Sequence, residues 1–552
     1  MDRGLPFCLF VMEAVASTSR VTTWQDAPSR ALPWTRIKIA TLAIATLLAL
    51  GFRISALSTY GFSEDELNKI HAIDQYRMGH FGANAEHPML MKLAMWASVD
   101  AAQAWNRLVP PDEAVSLETA LRLPNAVAGA ATTLVLSGVA DVLFGGVVAV
   151  AVALIWAFDV NAIAINRIGK EDTFLLLFFL LAVLCYERAK RLGAARPESI
   201  QRWYSLSGAS FGLMLASKYM PHYLGIYALF NSLTDPNPGR NKPDRVRHYG
   251  WMVAAFVVAN LAVLMPDTWR YCVSYVRGDM LVHHGYLYAG QLYITHPPVS
   301  PLGVPATYYL RLLATKVPLV LLAAAVPGVI EMVRRRNDRG FVLLRVLSVF
   351  LLVPYSLMAA KFMRYSLPML ATLDLVAAVG LVAGMDWLLR KRWLSRVTRV
   401  TVSSLALVVF VTALTTSQQS AAPFYSLFQN AVGASLGAPG STFPEETYDY
   451  GVREAVTRIA TAAVPSAVVA TDAPTVVEHY LQRCGRTDVH VRSLSGEGIP
   501  IGAREAWVLV QDEHSTFENR LLVEQLRARE APWVQFHAAE ALAVQVFRIT
   551  GR

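Results

Sequence analysis

Three adjacent carboxylates, Glu64, Asp65 and Glu66, follow the first long apolar stretch of a chain that is otherwise poor in charge. A carboxylate at the mouth of a membrane cavity is well placed to act as a general base toward a hydroxyl group. Consecutive helical residues point about 100° apart, so the three side chains cannot all serve one local purpose. The triplet is therefore a candidate catalytic site in which any of the three acids could be the base.

The same stretch also has a purely local explanation. Ser63 and Glu66 match a capping box, in which a serine caps the first helical turn and a glutamate reaches back to the serine amide. Acids in a first turn suit the helix dipole, and Asp65 can pair with Lys69 one turn later. The local pattern favours the catalytic and the capping interpretations equally.

Basic residues also occur on the side of the membrane that holds this triplet in the topology derived below, at helix ends or in loops: Arg122, Arg167, Lys170, Lys218, Arg270 and Arg364. A single cation at a helix end often only anchors the helix at the membrane surface. Several cations that converge with carboxylates would instead bind an anionic phosphate while a neighbouring acid moves a proton. The pattern predicts a phosphate site beside the triplet.

Histidines add a further candidate function. His87 lies in the loop that holds the triplet, and His283 and His284 lie in a later loop rich in Tyr and Pro. Carboxylate and imidazole groups together could bind a divalent cation, although no histidine pair shows H-x-x-x-H spacing. The later loop could cover the site, or its tyrosines could rest at the membrane interface.

The elements that must position these side chains are membrane helices. The 552-residue chain is 54% hydrophobic and 16% charged, whereas soluble domains are about 45–50% apolar and about 25% charged. The net charge of +9 arises from Lys and Arg in short runs between apolar stretches, which is typical of cytoplasmic loops and argues against a nucleic-acid partner. The four cysteines have neither metal-site spacing nor the density of a disulfide scaffold.

The hydropathy pattern predicts about eleven transmembrane helices. Alternating them places the basic loops on the side of the N-terminal segment, residues 1–37, which is therefore cytoplasmic. A further apolar segment is interrupted by Lys92 and Asp100, so we expect a helix lying along the outer membrane surface. The predicted spans are close to residues 38–57, 122–143, 146–164, 173–189, 203–218, 220–233, 249–266, 308–331, 341–359, 365–388 and 399–416.

Two domains follow from this topology. Residues 38–416 form the transmembrane domain, with external loops at 58–121, which contains the triplet, and at 267–307. Residues 417–552 alternate strand-like runs such as "SAVVATD" and "AWVLVQD" with helix-like runs such as "APTVVEHYLQRCG", which predicts a small α/β domain on the external face. No obvious catalytic constellation occurs in that second domain.

Several short motifs resemble a known family when taken in order. They are "EDE" after the first span, "HPML", "LRLPNAVAGA", "NRIGKEDTFLLLFFLLA", "GLMLASKY" and "KFMRYSLPML", between residues 38 and about 390. The sequence resembles the protein O-mannosyltransferase and lipid A aminoarabinose transferase group of the C-type glycosyltransferases. The resemblance implies that fold, a polyprenyl-phosphate sugar as donor, and inverting transfer to an external protein, glycan or lipid. Such a reaction needs no soluble nucleotide sugar, and the sequence contains no glycine-rich phosphate loop.

The resemblance also implies residue roles. Asp65 matches the catalytic acid of the family, with Glu66 beside it. The cations near the donor phosphate correspond to Arg122, Lys218 and Arg364, and a structural or donor-side pair corresponds to Arg167 and Asp172. This sequence departs from the family pattern in two places, because Met89 replaces the second proline of an HPPL motif and Glu64 adds a third acid. The implied location is the bacterial plasma membrane, with a role in cell-envelope or protein glycosylation.

Two other classes of protein remain open from the residues alone. A transporter or flippase of lipid-linked sugars would use the acids in or near spans, since intramembrane acids are often functional: Asp159, Asp172, Asp374 and Asp386. Such a protein should show two related halves, and the sequence shows no such repeat. A non-catalytic scaffold that binds through the C-terminal domain would leave the triplet as a helix cap alone.

Overall fold

In the computed structural model, the described residues are 36–192, 197–234, 242–277, 285–294, 303–391, 393, 395–499, 505–511 and 514–550. Most of the predicted cytoplasmic segment, His283 and His284 lie outside these residues. The helices before residue 278 are α1 (Arg36–Ile54), α2 (Glu64–Arg77), α3 (Leu90–Asn106), α4 (Leu117–Phe144), α5 (Gly146–Phe158), α6 (Val160–Asn166), α7 (Asp172–Arg191), α8 (Pro197–Ser217), α9 (His222–Thr234), α10 (Arg245–Ala259) and α11 (Pro266–Arg277).

A short antiparallel hairpin of β1 (Tyr286–Tyr288) and β2 (Gln291–Tyr293) precedes the remaining long helices. Short 3₁₀ segments occur at Pro111–Glu113, Leu261–Leu264, Met363–Ser366, Tyr425–Leu427 and Pro444–Thr447. The long helices are α12 (Tyr308–Lys316), α13 (Leu319–Arg334), α14 (Arg339–Leu357), α15 (Leu367–Leu389) and α16 (Arg396–Ala421).

Breaks between helices fall where the sequence cannot continue a straight helix. Gly145 has φ 94°, a left-handed conformation that glycine adopts at little cost, and it allows α5 to begin directly after α4. Asp159 accepts the N–H groups of Asn161 and Ala162 and so caps α6, at a 62° bend after α5. Pro318 precedes α13, which meets α12 at 117°.

Each of the eleven predicted spans overlaps one of these helices or a bent pair of them. Within the described residues, four helices, α4, α14, α15 and α16, are long and apolar enough to cross a membrane, or up to six spans form if each bent pair counts as one. The bent pairs are α5 with α6 and α12 with α13. The number eleven therefore stays a prediction.

The segment interrupted by Lys92 and Asp100 is helical, as predicted, and forms α3. Its location along the outer membrane surface stays a prediction. Lys92 is completely buried and donates to the carbonyl oxygens of Asn84 at 2.7 Å and His87 at 2.9 Å. Asp100 lies on the exposed side, where it pairs with Arg77. The charge that interrupts the apolar run thus points into the protein and fastens the loop before α3.

The C-terminal region contains the predicted strands and helices in a mixed five-stranded sheet of order β4–β3–β5–β7–β6. Strand β3 is parallel to β4 and β5, whereas β7 is antiparallel to β5 and β6. Only the short edge strand β6 was not predicted. The elements are α17 (Ala431–Leu436), α18 (Val452–Ala462), β3 (Val468–Thr471), α19 (Pro474–Arg483), β4 (His490–Ser493), α20 (Leu494–Glu497), β5 (Glu505–Gln511), α21 (Arg520–Arg529), β6 (Val534–Ala538) and β7 (Ala541–Thr550).

This region packs directly on the loop that contains the acidic triplet. Phe62 is fully buried in one hydrophobic core with residues of the sheet and of α18 and α19. The Phe62 N–H donates to the Tyr480 hydroxyl at 2.7 Å, and Arg453 donates to the carbonyl oxygens of Ser58 and Thr59, both at 2.9 Å. The start of α2 is therefore held between the helical part and the C-terminal sheet.

Candidate active site

The acidic triplet opens α2, and its first turn forms the predicted capping box. The Glu66 N–H donates to Ser63 Oγ at 3.4 Å, and the Ser63 N–H donates to Glu66 Oε2 at 3.1 Å. This reciprocal pairing satisfies two backbone donors that have no partner inside the helix. The local interpretation of Ser63 and Glu66 is confirmed.

Glu66 also forms a fully buried ion pair with Arg122. Arg122 Nε donates to Oε1 at 2.8 Å and Nη2 donates to Oε2 at 2.7 Å, while the Gly169 N–H reaches Oε1 at 2.9 Å. Both carboxylate oxygens are occupied. Arg122 also donates to the carbonyl oxygens of Leu57, Tyr60 and Gly61 at 2.7, 3.0 and 2.6 Å. It therefore holds the loop before α2 in place.

Asp65 is placed differently from Glu66. Its side chain is 43% exposed, and its carboxylate pairs with Lys170, which is buried. The suggested pairing with Lys69 is wrong, because Lys69 Nζ lies 2.7 Å from Glu171 Oε1. Asp65 is thus a carboxylate with access to an incoming group and with a buried ammonium beside it.

The three consecutive charged residues Lys170, Glu171 and Asp172 link the site together. Lys170 binds Asp65, Glu171 binds Lys69, and Asp172 Oδ1 accepts a hydrogen bond from Lys218 Nζ at 2.7 Å. All three are buried although they are charged. Glu171 was not among the predicted site residues, and its signal was a run of three charges immediately before a long apolar helix.

Arg364 completes the group. Its guanidinium carbon lies 4.2 Å from the Phe362 ring centre, and among the described residues it forms no ion pair with a carboxylate. Burial lowers the pKa of Lys170 well below its ordinary value, and the positive charge of Arg364 lowers it further. We call this set the Lys170 cluster, and its members are Asp65, Lys69, Lys170, Glu171, Asp172, Lys218 and Arg364.

Three predicted cations lie outside the Lys170 cluster: Arg122, which pairs with Glu66, and also Arg167 and Arg270. Arg167 is buried and donates to carbonyl oxygens at the end of α1, including those of Phe52 at 3.0 Å and Ala56 at 3.1 Å. It therefore caps α1 and does not pair with Asp172 as the family resemblance implied. Arg270 has a side chain that is 79% exposed, and it pairs with Asp267 at 3.0 Å on its own helix.

His87 lies next to the cluster. Its Nδ1 is 3.8 Å from Glu171 Oε1. Burial lowers the pKa of His87 to about 3, with Glu171 opposing the shift and Lys69 adding to it. Within the part of the chain that the structure describes, no group of three or more His, Cys, Asp or Glu side chains could hold a metal ion.

Comparisons with known proteins agree with this architecture. Residues 114–264 match the family model described as dolichyl-phosphate-mannose-protein mannosyltransferase. The ArnT structure from Cupriavidus metallidurans bound to undecaprenyl phosphate is 13% identical, covers 94% of this chain and 98% of its own, and gives a TM-score of 0.52. The apo oligosaccharyltransferase structure from Archaeoglobus fulgidus is 11% identical to this chain. The match covers 95% of this chain and 75% of the oligosaccharyltransferase chain, with a TM-score of 0.51. A search of curated proteins found no match.

The two structural matches show that the chain has the C-type glycosyltransferase fold. The mannosyltransferase family match over residues 114–264 agrees with that fold and supports a glycosyltransferase with membrane helices. The resemblance inferred from the sequence motifs is confirmed.

The acids that the transporter alternative would use can be compared with their places in the structure. Of the acids that it would use, Asp172 pairs with Lys218, Asp159 caps α6, and Asp386 pairs with Arg390 at 2.7 Å near the end of α15. Asp374 is buried in α15. Three of these four acids thus have local partners that explain them without a transport pathway.

Proposed function

We propose that the protein moves a sugar from a polyprenyl-phosphate donor to an acceptor hydroxyl on the extracytoplasmic side, with inversion, and that Asp65 is the general base. The observation that carries this proposal is the pairing of a partly exposed Asp65 carboxylate with the buried Lys170. The half-buried Arg364, which has no carboxylate partner among the described residues, is close enough to Lys170 to shift its pKa. A base and an anion site next to each other are what this reaction needs.

The choice among the three acids rests on their surroundings. Glu66 is fully buried, and both of its oxygens are engaged by Arg122, Gly169 and Ser63. Burial raises the pKa of Glu64, so this carboxyl group holds its proton more readily than an ordinary glutamate. Asp65 is partly exposed and has the buried Lys170 as its ion-pair partner.

The chemical step is a single displacement. The acceptor oxygen attacks the anomeric carbon from the face opposite the phosphate, while Asp65 takes the hydroxyl proton. The bond between the anomeric carbon and the phosphate oxygen breaks, and its electron pair leaves with the lipid phosphate. Arg364, Lys170 and Lys218 would stabilise that charge by charge-assisted hydrogen bonds. One displacement inverts the anomeric centre.

Lys170 could connect donor binding with the base. In the structure its ammonium pairs with Asp65. A phosphate bound near Arg364 would compete for that ammonium and weaken its hold on Asp65. The carboxylate would then be free to accept the acceptor proton only when the donor is present.

The remaining assignments follow the same proposal. The predicted basic loops place the site and the C-terminal region on the extracytoplasmic face of a plasma membrane, which we propose to be bacterial. The acceptor would be a protein, a glycan or a lipid of the cell envelope. The donor would enter from the surrounding membrane lipids with its phosphate toward the Lys170 cluster.

The proposal is tested by sugar transfer in lipid nanodiscs with a panel of polyprenyl-phosphate sugars. Asp65→Asn keeps the size of the side chain and removes the base, so turnover should fall about 10²–10⁴-fold. Glu64→Gln should retain most activity, and Glu66→Gln should chiefly lower the melting temperature, because it leaves Arg122 without its counter-charge. Near-normal transfer by folded Asp65→Asn would remove Asp65 as the base.

A further inference from the structure

The C-terminal region reaches the catalytic stretch through one turn. Asp449, in the turn after the 3₁₀ segment Pro444–Thr447, accepts a hydrogen bond from the Glu64 N–H at 3.2 Å through Oδ2. Glu64 is the first residue of α2, so its N–H has no partner inside the helix. The carboxylate that satisfies it comes from 385 residues further along the chain.

Asp449 is itself held by the C-terminal sheet. Its Oδ1 accepts a hydrogen bond from Gln511 Nε2 at 2.5 Å, and His514 Nε2 lies 3.1 Å from the same oxygen. Gln511 is the last residue of β5, the central strand of the sheet. Asp449 is also buried. Its contacts with the sheet therefore hold the carboxylate that binds the start of α2 in one position.

The backbone of this turn is strained. Tyr448 and Asp449 have φ values of 38° and 56°, in the left-handed region that residues other than glycine seldom adopt. Such conformations persist only where surrounding contacts enforce them, and they concentrate at functional sites. The Tyr448 phenol is close enough to Glu66 and Arg364 for its pKa to respond to both, after burial has raised it. The strained turn therefore lies against the catalytic stretch.

We infer that Asp449 is a positioning residue for the transfer reaction. By holding the Glu64 amide, it fixes the first residue of α2, and the next residue is Asp65. The direction of the Asp65 carboxylate toward Lys170 and the acceptor then depends on the C-terminal sheet. This inference rests on the proposed role of Asp65 and assigns the C-terminal region a part in catalysis.

Two substitutions separate this role from simple folding. Asp449→Gly removes the carboxylate while glycine tolerates the left-handed φ, so the turn is retained. Asp449→Asn keeps an oxygen that can accept the Glu64 N–H, and asparagine also tolerates this conformation. A matched control is Asp488→Ala, because Asp488 accepts the Ser466 N–H at the same 3.2 Å elsewhere in the C-terminal region.

We expect Asp449→Gly to lower kcat roughly ten- to a hundredfold through misplacement of the base, with the donor KM unchanged. Asp449→Asn should recover most of that loss, and Asp488→Ala should behave like the wild type. Hydrogen exchange of the folded protein should be faster at the start of α2 in Asp449→Gly. In an Asp65→Asn background, Asp449→Gly should cause no further loss of kcat.

Normal kcat and unchanged exchange in Asp449→Gly would overturn the inference. Equal loss in Asp449→Asn and Asp449→Gly would also overturn it, because the acceptor oxygen would then not matter. Normal turnover of Asp65→Asn would instead defeat the proposed function. A collapse in Asp65→Asn with normal Asp449→Gly would leave the proposed function standing and remove only the positioning role.

Discussion

Helix α7 carries a buried charged group at each end, and the two groups differ in how completely they are neutralised. Asp172 begins the helix and Glu187 lies near its end, roughly 22 Å apart along the axis. Asp172 belongs to the Lys170 cluster. Glu187 belongs to a second set, which we call the Arg339 cluster: Glu187, Tyr227, Asn231, Thr234 and Arg339.

In the Arg339 cluster the cation and the carboxylate neutralise each other, and we call such a cluster closed. Arg339 Nε and Nη2 donate to the two Glu187 oxygens at 2.7 and 2.6 Å, and Tyr227 donates to Oε1 at 2.6 Å. The remaining guanidinium donors reach Thr234 and Asn231 at 2.5 and 2.7 Å. One cation therefore meets one carboxylate, which is typical of a structural ion pair.

In the Lys170 cluster the charges are not fully neutralised, and we call such a cluster open. It contains four cations and three carboxylates, and Arg364 forms no ion pair with a carboxylate of the described chain. Unmatched buried charge costs stability unless a ligand neutralises it. The contrast teaches that burial of charge alone does not identify a site, whereas incomplete neutralisation indicates a place for an anion.

Breaking the closed cluster should give the largest loss of stability. Glu187→Gln leaves Arg339 with no carboxylate, so we expect the free energy of unfolding to fall by about 3–5 kcal/mol. Turnover per folded molecule should stay close to that of the wild type. Thermal unfolding in nanodiscs and a transfer assay on the folded fraction would check both, and a selective loss of transfer would mean that this cluster also serves the reaction.

The next effect concerns the edge of the open cluster. His87 has a pKa of about 3 in the folded protein because of burial, against about 6.5 when unfolded. Below pH 6.5 His87 binds a proton in the unfolded chain but not in the folded protein. The free energy of unfolding therefore decreases as the pH falls from 6.5 toward 3. At pH 5 this loss should be about 2 kcal/mol.

His87→Gln should remove that loss. The difference in melting temperature between pH 7 and pH 5 should be smaller in His87→Gln than in the wild type. His80→Gln changes an exposed histidine of the same loop and serves as the control. An identical pH dependence in His87→Gln and wild type would show that the buried imidazole does not set acid stability.

The smallest effect separates the cap from the chemistry of the triplet. Ser63→Ala removes the side-chain acceptor of the Glu66 N–H and should cost about 0.5–2 kcal/mol of stability. Ser116→Ala removes the equivalent cap of α4, where Ser116 accepts the Thr119 N–H at 3.2 Å, and provides the comparison. Both should leave turnover per folded molecule nearly intact, and a large loss in Ser63→Ala alone would tie the cap to catalysis.

Much of the fold could be predicted from local pattern. Apolar runs and capping residues act over a few positions, so the helices, the Ser63 capping box and most strands of the C-terminal sheet fall where the sequence indicates. The end of the last predicted span was less accurate, because α16 continues past residue 416 to Ala421. Strand β6, at one edge of the sheet, was missed.

The partners in the site could not be predicted in the same way. Asp65 pairs with Lys170, which is 105 positions away in the sequence, and residue spacing does not indicate a contact over that separation. The predicted partner was Lys69 because it is one helical turn from Asp65, but Lys69 pairs with Glu171. Arg122 looked like any other external cation until its bonds to Glu66 were seen. The sequence indicates which charges lie on one face of the membrane, but tertiary contacts decide which of them are already neutralised.

The most direct test of the open cluster is the affinity of the protein for a polyprenyl phosphate without a sugar, measured in nanodiscs for the wild type and Arg364→Ala. Loss of a charge-assisted hydrogen bond of about 1.5–3 kcal/mol predicts roughly 10- to 150-fold weaker binding. Arg335→Ala, which changes a cation paired with Glu331 at 2.9 Å, should bind like the wild type. Unchanged affinity in Arg364→Ala would contradict the assignment of the Lys170 cluster as the donor-phosphate site.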